Sequence, residues 1–316
     1  MKTTKFRSLT AVLLSLVLAF WTISDSLPRA CALETDPETG AYLISSLTDL
    51  REFARACTVN TWSQGKLIRL TRNLDLTGRS FIPIPTFSGE LSGEGFTISG
   101  LNLTATGSNM GVFRYVQEGA IIRSLNVSGT VQPGGDAEQV GGIVGINAGS
   151  VLDCTFTGSV VGRHNVGGVV GENMETGEVS GCTANGTVQG RRRTGGIVGR
   201  NRGLLLKCWN EAAVNTSAAG ESVQVSEAFF DTGGIAGTST GVLQSCTNVG
   251  TIGVPHTGYN TGGIVGRQSG YVASAENRGT VRGRKDIGGI AGQAEPDITL
   301  LADPTVLSEL RSQLNT

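Results

Sequence analysis

Eight side chains in the second half of the chain have the chemistry to hold a ligand. Arg163 and His164 are adjacent, Arg191, Arg192 and Arg193 form a run, and Phe229, Phe230 and Tyr259 supply aromatic rings. The planar arginine fork meets carboxylate or phosphate oxygens two at a time, so such clusters suit an anionic glycan or a wall polymer. The rings could stack on sugars. The plainer alternative is a set of solvated turns whose charges keep the surface soluble, with the rings packed on a neighbouring strand.

Catalysis has less in its favour. The acids of the same region (Asp153, Glu172, Glu178, Glu211, Asp231, Glu276 and Asp286) look scattered, with no two at one position of the repeat described below. A glycosidase needs paired carboxylates, and a lyase-like site needs an acidic cluster that holds calcium beside a basic residue. Beyond Cys31, five cysteines remain: Cys57, Cys154, Cys182, Cys208 and Cys246. They form no CxxC pair and no zinc-ligand spacing, so no metal or cofactor is expected. An odd count also makes no tidy disulfide framework.

The elements that must carry these residues are repeats. Six glycine phrases begin at Gly141, Gly167, Gly195, Gly233, Gly262 and Gly288, spaced 26, 28, 38, 29 and 26 residues apart, and read like Gly-Gly-Ile-Val-Gly. A fixed phrase at that period signals stacked units, each too small to bury its apolar residues alone. Within residues 141–166 three apolar patches alternate with glycine or polar residues, which predicts three short strands per unit with glycine corners. The expected fold is all-β: a right-handed parallel β-helix solenoid of about seven coils, with an α+β N-terminal cap and a short C-terminal helix. A β-propeller would need a period of roughly 40–50 residues.

Comparing the repeats position by position predicts which side chains face inward. The slot after each phrase holds Ile146, Glu172, Arg200, Thr238, Arg267 and Gln293, a variety that fits a water-facing position. The next slot holds Asn147, Asn173, Asn201 and Ser239, which predicts side chains bonded to one another up the rod. Cys154, Cys182, Cys208 and Cys246 occupy a small inward slot that takes Ala275 in a later copy, so a column of reduced thiols is expected. Disulfides between adjacent coils are the alternative.

The flanks read differently. Residues 1–32 have a basic start (Lys2, Lys5, Arg7), an apolar run from Ala11 to Trp21 and a small-x-small site at Ala30-Cys31-Ala32, which fits a signal peptide. A membrane anchor and a lipidated Cys31 are the alternatives, but the apolar run is shorter than the roughly 18 residues a spanning helix needs. Residues 33–107 break the period and read as the cap. They hold a helix from Ser46 to about Ala56, strands at 67–70 and 74–76, and a hairpin-like segment at 87–100. Residues 108–293 are the repeats. Residues 294–316 hold a helix starting at Asp303-Pro304, which either folds over the last coil or begins a further region. A formal net charge of −1 gives no global reason to bind nucleic acid.

The phrase GGIVGxNxGxVxxCxxxGxVxG, clearest at 141–162, 167–190 and 195–214, resembles the GLUG repeat of bacterial extracellular proteins, and the lead-in at 70–131 is similar to their capping segment. The resemblance spans about residues 42–293. It implies a secreted or cell-surface β-helix, adhesin-like in some relatives and found beside immunoglobulin A metallopeptidases in others. It transfers no catalytic residue, and His164 and His256, the only histidines, form no His-Glu-x-x-His motif. The expected function is a non-catalytic secreted or cell-surface module, for adhesion, ligand binding or as a stalk. Its partners would be host or cell-wall glycans or surface proteins, with no membrane insertion after signal cleavage. The alternative is a polysaccharide-active β-helix enzyme, a lyase or glycoside hydrolase.

Overall fold

A computed structural model describes residues 33–217 and 229–296. The chain winds as a parallel β-solenoid. A full coil contributes one strand to each of four sheets, as in Ser150–Leu152 (sheet I), Thr155–Val161 (sheet II), His164–Gly167 (sheet III) and Val170–Asn173 (sheet IV). Every strand pairs in parallel with its equivalents one coil away, for example Thr155–Val161 with Thr183–Gln189. The four sheets therefore stack upward together, with nine strands in sheet I, eight along sheet II and a ninth (Ala213–Val214) beside Thr183–Gln189, six in sheet III and seven in sheet IV.

Two expectations are corrected here. Sheet I counts nine coils, not about seven. The first coils lack the glycine phrase, so the phrase undercounts them. Each coil also has four sides rather than three. The overlooked side is sheet III, whose strands hold a varied outer residue, a residue with positive φ, one inward residue and a glycine. Such a strand shows no apolar alternation and reads as a turn.

The three glycines of the phrase are set by close approach, and none has positive φ. A methyl built on Gly168 would overlap the carbonyl oxygen of Gly196 in the next coil and lie 2.8 Å from Ala184 Cβ. One on Gly171 would lie 2.5 Å from the carbonyl carbon of Gln139, where the sheet III strand of the previous coil kinks. Positive φ instead marks the corner before the cysteine column. It is met by Asp153 (51°), Gly181 (64°), Lys207 (54°) and Ser245 (57°). Asp153, Lys207 and Ser245 adopt that conformation without being glycine, so glycine is not required there.

The interior is written in columns. Val151, Val179, Leu205 and Leu243 stack fully buried, as do Ile143, Val169, Ile197, Ile235 and Ile264. The asparagine ladder forms as expected. Asn147 Nδ2 donates to Asn173 Oδ1 at 2.8 Å, Asn173 to Asn201 at 2.9 Å and Asn201 to Ser239 Oγ at 3.1 Å. It stops at Gln268, whose buried amide has no hydrogen-bond partner. A second ladder joins Asn210 to Asn248 at 2.7 Å and Asn248 to Asn277 at 2.8 Å. The same column holds Phe156 and Ala184 in earlier coils, which hides it from a position-by-position comparison.

The thiols form the expected column. Cys154, Cys182, Cys208 and Cys246 are free and buried, and the Cys208 N–H donates to Cys246 Sγ at 3.4 Å. Cys57 is a separate buried thiol. Burial pushes the Cys182 thiol well above its ordinary range, and the contact with Cys246 together with burial does the same to Cys208.

Helix α1 (Leu47–Ala56) covers the N-terminal end. Ser46 caps it by accepting the Asp49 N–H at 3.2 Å, and the Asp49 carboxylate in turn accepts the Ser45 N–H at 3.0 Å. Leu50, Phe53 and Ala54 are buried. Phe53 packs edge-on against Phe87 at 5.9 Å, and Phe87 meets Phe113 at 5.4 Å, so an aromatic chain ties the helix to the coils. The segment 87–100 is no hairpin. Glu90–Ser92 pairs in parallel with Leu67–Leu70 and Ile121–Arg123, and Thr97–Leu103 pairs in parallel with Leu74–Asp75 and Asn126–Val131. Glu94 (φ 52°) and Gly95 (φ 76°) bend the chain as a hairpin turn does. The flanking strands nevertheless find their partners one coil away, and the bend becomes a corner of the solenoid. Strand ladders thus run without a break past residue 107. At the far end Tyr271, Ile287 and Ile290 are exposed. The expected signal peptide (1–32) and the helix from Asp303 lie outside the described residues.

Candidate ligand-binding face

Sheet III gathers the residues that the sequence singled out. Its outermost position runs coil by coil through Glu138, His164, Arg192, Phe230, Tyr259 and Lys285. The corner that leads into the sheet carries Arg163, Arg191, Phe229 and Arg284, joined by backbone bonds from Arg191 N to Arg163 O, Phe230 N to Arg191 O and Tyr259 N to Phe229 O. Residues that looked like separate turns and insertions are one continuous surface, because their coils place them one above another at the inter-strand spacing of about 4.8 Å.

Contacts follow the register. His164 Nδ1 lies 2.9 Å from Glu138 Oε1. Arg192 sits over the Phe230 ring with its guanidinium carbon 5.3 Å from the centroid. Phe230 and Tyr259 are stacked at 5.2 Å and 11°. Arg284 covers the other side of Tyr259 at 5.9 Å. Arg163 is ion-paired with Asp136. A hollow of about 340 Å³ opens beside this pair, lined by Gln132, Pro133, Asp136, Arg163 and Arg191 among others. It lies where the six-residue loop 132–137 overhangs the two-residue corners 162–163 and 190–191 of the next two coils. The sequence did not single out Asp136 and Glu138, although one 26-residue period back from His164 is Glu138 and Asp136 adjoins Ala137, the position one period back from Arg163.

Arg193 departs from the group. It has positive φ (55°), as do Gln139, Asn165, Asp231, Asn260 and Asp286 in the same column. That backbone turns the column aside, toward sheet IV. Half-burial lowers the proton affinity of Arg193, and neighbouring Arg200 adds to the effect, while Asp231 and Glu172 oppose it. The slot expected to face water is corrected for the same reason. Glu172 and Thr238 are buried. Asn165 Nδ2 donates to Glu172 Oε2 at 3.2 Å, and Arg202 and Arg200 pair with its other oxygen at 3.1 and 3.5 Å. Arg267 and Asn260 similarly hold Asp231, at 3.6 and 2.8 Å. Asp231 and Asp286 do share one register position, contrary to the reading of scattered acids, but Asn260 lies between them. The groove between sheets III and IV is thus an internal ion ladder, distinct from the outer strip.

Among the described residues no group of three His, Cys, Asp or Glu side chains could hold a metal ion, and no helix is long and apolar enough to cross a membrane.

Comparison with known proteins agrees with this architecture. The GLUG motif family model matches residues 136–161 and 162–189, two successive coils that include Arg163 and His164. Halomucin of the archaeon Haloquadratum walsbyi is 30% identical over 154 residues, 43% of this chain but only 2% of that protein, so the chain spans a small fraction of its relative's length. A crystal structure from Bacteroides ovatus, of a protein described as a candidate immunoglobulin A1 protease, superposes with a TM-score of 0.59 over 82% of this chain and 85% of that one. At 18% identity the likeness is one of fold. The chain thus carries two GLUG motifs in a parallel β-solenoid whose further coils repeat the same glycine phrase and inner columns.

Proposed function

We propose that the chain is a non-catalytic binding module displayed outside the cell, with the outer column of sheet III as its binding face and a glycan or surface protein as its ligand. One observation carries this reading. The inner columns repeat a few residue types, whereas the outer column of sheet III collects cations and aromatic rings on consecutive coils. Packing explains the first and does not require the second. The acids of this face support a binding role over hydrolysis, since Asp136 is engaged by Arg163 and Glu138 by His164. The basic start and apolar run of residues 1–32 support export. The halomucin relative, by its printed name a mucin, supports a place at the cell surface.

Glycan-array and cell-adhesion measurements on the full chain test the proposal. Binding by the native protein and its loss in an Arg163/Arg191/Arg192 triple alanine variant of unchanged melting temperature are expected. Turnover of a polysaccharide, or binding that ignores the triple substitution, would overturn it.

A further inference from the structure

Given that reading, the geometry points to the class of ligand: we propose that sheet III binds a linear acidic polysaccharide through arginines, and that its aromatic rings hold those arginines in place instead of stacking on sugars. Ring faces are the usual platform for a sugar, and here they are taken. Phe230 has Arg192 on one face and Tyr259 on the other. Tyr259 has Phe230 on one face and Arg284 on the other. The four side chains form a sandwich along the rod in the order Arg192, Phe230, Tyr259, Arg284. Only ring edges and guanidinium N–H groups remain to meet a ligand.

A guanidinium lying on a ring keeps its donors in the plane, where they can bond outward, while the ring restricts its rotamers. Ordering the side chain before the ligand arrives lowers the entropic cost of binding. Among the described residues neither Arg192 nor Arg284 has a carboxylate within ion-pair distance, so both forks remain available for an incoming acid group.

The hollow extends the strip by one coil. Arg163 and Arg191 both line it, and Arg163 Nε is buried there without a hydrogen-bond partner although the same guanidinium pairs with Asp136. From the coil of Arg163 to that of Arg284 and Lys285 is four steps of the ladder, about 19 Å. Cations therefore recur along a narrow line parallel to the rod. A flexible, hydrophilic polymer with acid groups at intervals fits that line.

Other polyanions fit less well. Nucleic-acid binding draws on a strong positive field and on bases stacked on aromatic faces. This chain has a net charge of −1 and its ring faces are occupied. A folded protein partner usually anchors an apolar side chain in a pocket at the centre of its interface, and the hollow beside this strip is lined mainly by polar and charged groups.

Binding of the full chain to polygalacturonate, heparin, neutral dextran, poly-L-glutamate and single-stranded DNA tests the assignment. At least one acidic polysaccharide should bind tenfold or more tightly than dextran, and weaken steeply as salt rises, since the contacts are ionic and solvent-exposed (Debye length ~10 Å at 0.1 M). Polygalacturonate, which carries carboxylates alone, against heparin, which carries carboxylates and sulfates, tells whether carboxylates suffice. Arg163→Ala with Arg191→Ala, and Arg192→Ala with Arg284→Ala, should each cost about tenfold, the order of one or two lost charge-assisted bonds. Phe230→Ala should weaken acidic ligands by loosening Arg192, and Phe230→Tyr should restore them. Melting curves confirm that each variant keeps its fold.

Dextran bound as tightly as the acidic polymers, with Phe230→Ala abolishing both, would make the rings a sugar platform and overturn the inference. Equal binding of poly-L-glutamate or DNA would overturn the polysaccharide assignment. If no polymer binds while cell adhesion still depends on Arg163, Arg191 and Arg192, this inference fails and the binding-module reading stands. If adhesion is also absent, the binding-module reading fails.

Discussion

Two columns climb the same coils at the same spacing and obey opposite rules. The inner one runs Asn147, Asn173, Asn201, Ser239, and each member bonds to the next. The outer one runs Glu138, His164, Arg192, Phe230, Tyr259, Lys285, and uses a different residue at every step. Inside, a side chain is surrounded by copies of itself with no water to fall back on, so each polar group needs a partner on the neighbouring coil. Outside, water satisfies any residue that the ladder leaves unpaired, so the coils are free to differ. Function in a solenoid is therefore best sought where the repeat stops repeating.

Substitutions sharpen that contrast. Gly168→Ala should be the most damaging, because the new methyl meets the Gly196 carbonyl of the next coil and backbone cannot step aside. A loss of about 3 kcal/mol or more, roughly 6–12 °C in Tm, is expected by calorimetry. Asn173→Ala removes the middle of the inner ladder and takes the buried donor away from Asn201 Oδ1 and the Gly177 carbonyl, while Asn147 keeps the Gly149 and Glu178 carbonyls. About 2–3 kcal/mol of denaturant stability should be lost. A loss below 0.5 kcal/mol would mean that the ladder is incidental and that the two columns do not differ as argued.

The thiol column gives the contrast a pH signature. In the folded chain Cys182 and Cys208 stay protonated well above their ordinary range. In the unfolded chain they ionise from about pH 8.5. The Cys182 contribution is thus complete below about pH 8.5 and declines as pH rises beyond it, by up to about 1.4 kcal/mol per pH unit, while the Cys208 contribution is opposed by Cys246, whose thiol the same contact lowers. Denaturant titrations between pH 7 and pH 10 should show the fall, and Cys182→Ala with Cys208→Ala should flatten it. The smallest effect belongs to the outer column. Arg192→Ala should shift stability by less than about 0.5 kcal/mol while changing ligand binding. A large Tm drop in that variant would make the outer column structural and remove the basis for the binding face.

The parts legible in the sequence are those that depend on neighbours one period away. The asparagine ladder, the cysteine column and the Ser46 cap all follow from residue type at a fixed spacing. The misreadings share another origin. Glu94-Gly95 has the conformation of a hairpin turn, yet hydrogen-bond partners in adjacent coils made it a corner. Asp231 and Asp286 each stand two residues before a glycine phrase, a shared position that shows only when the coils are counted back from the phrase. Arg193 belongs by sequence to the basic run, and its positive φ takes it out of the strip and into the ion ladder.

Sequence alone determined that this chain must stack, roughly where each coil begins, and which small or amide side chains face inward, because those features are set by steric room and by identical partners at one period. Tertiary structure alone decided that a fourth sheet exists and that Arg163, Arg192, Phe230, Tyr259 and Arg284 share it. Each of these residues stands three or four positions before a glycine phrase, a spacing present in the sequence, but only the folded sheet turns that spacing into a stack of rings and guanidinium groups.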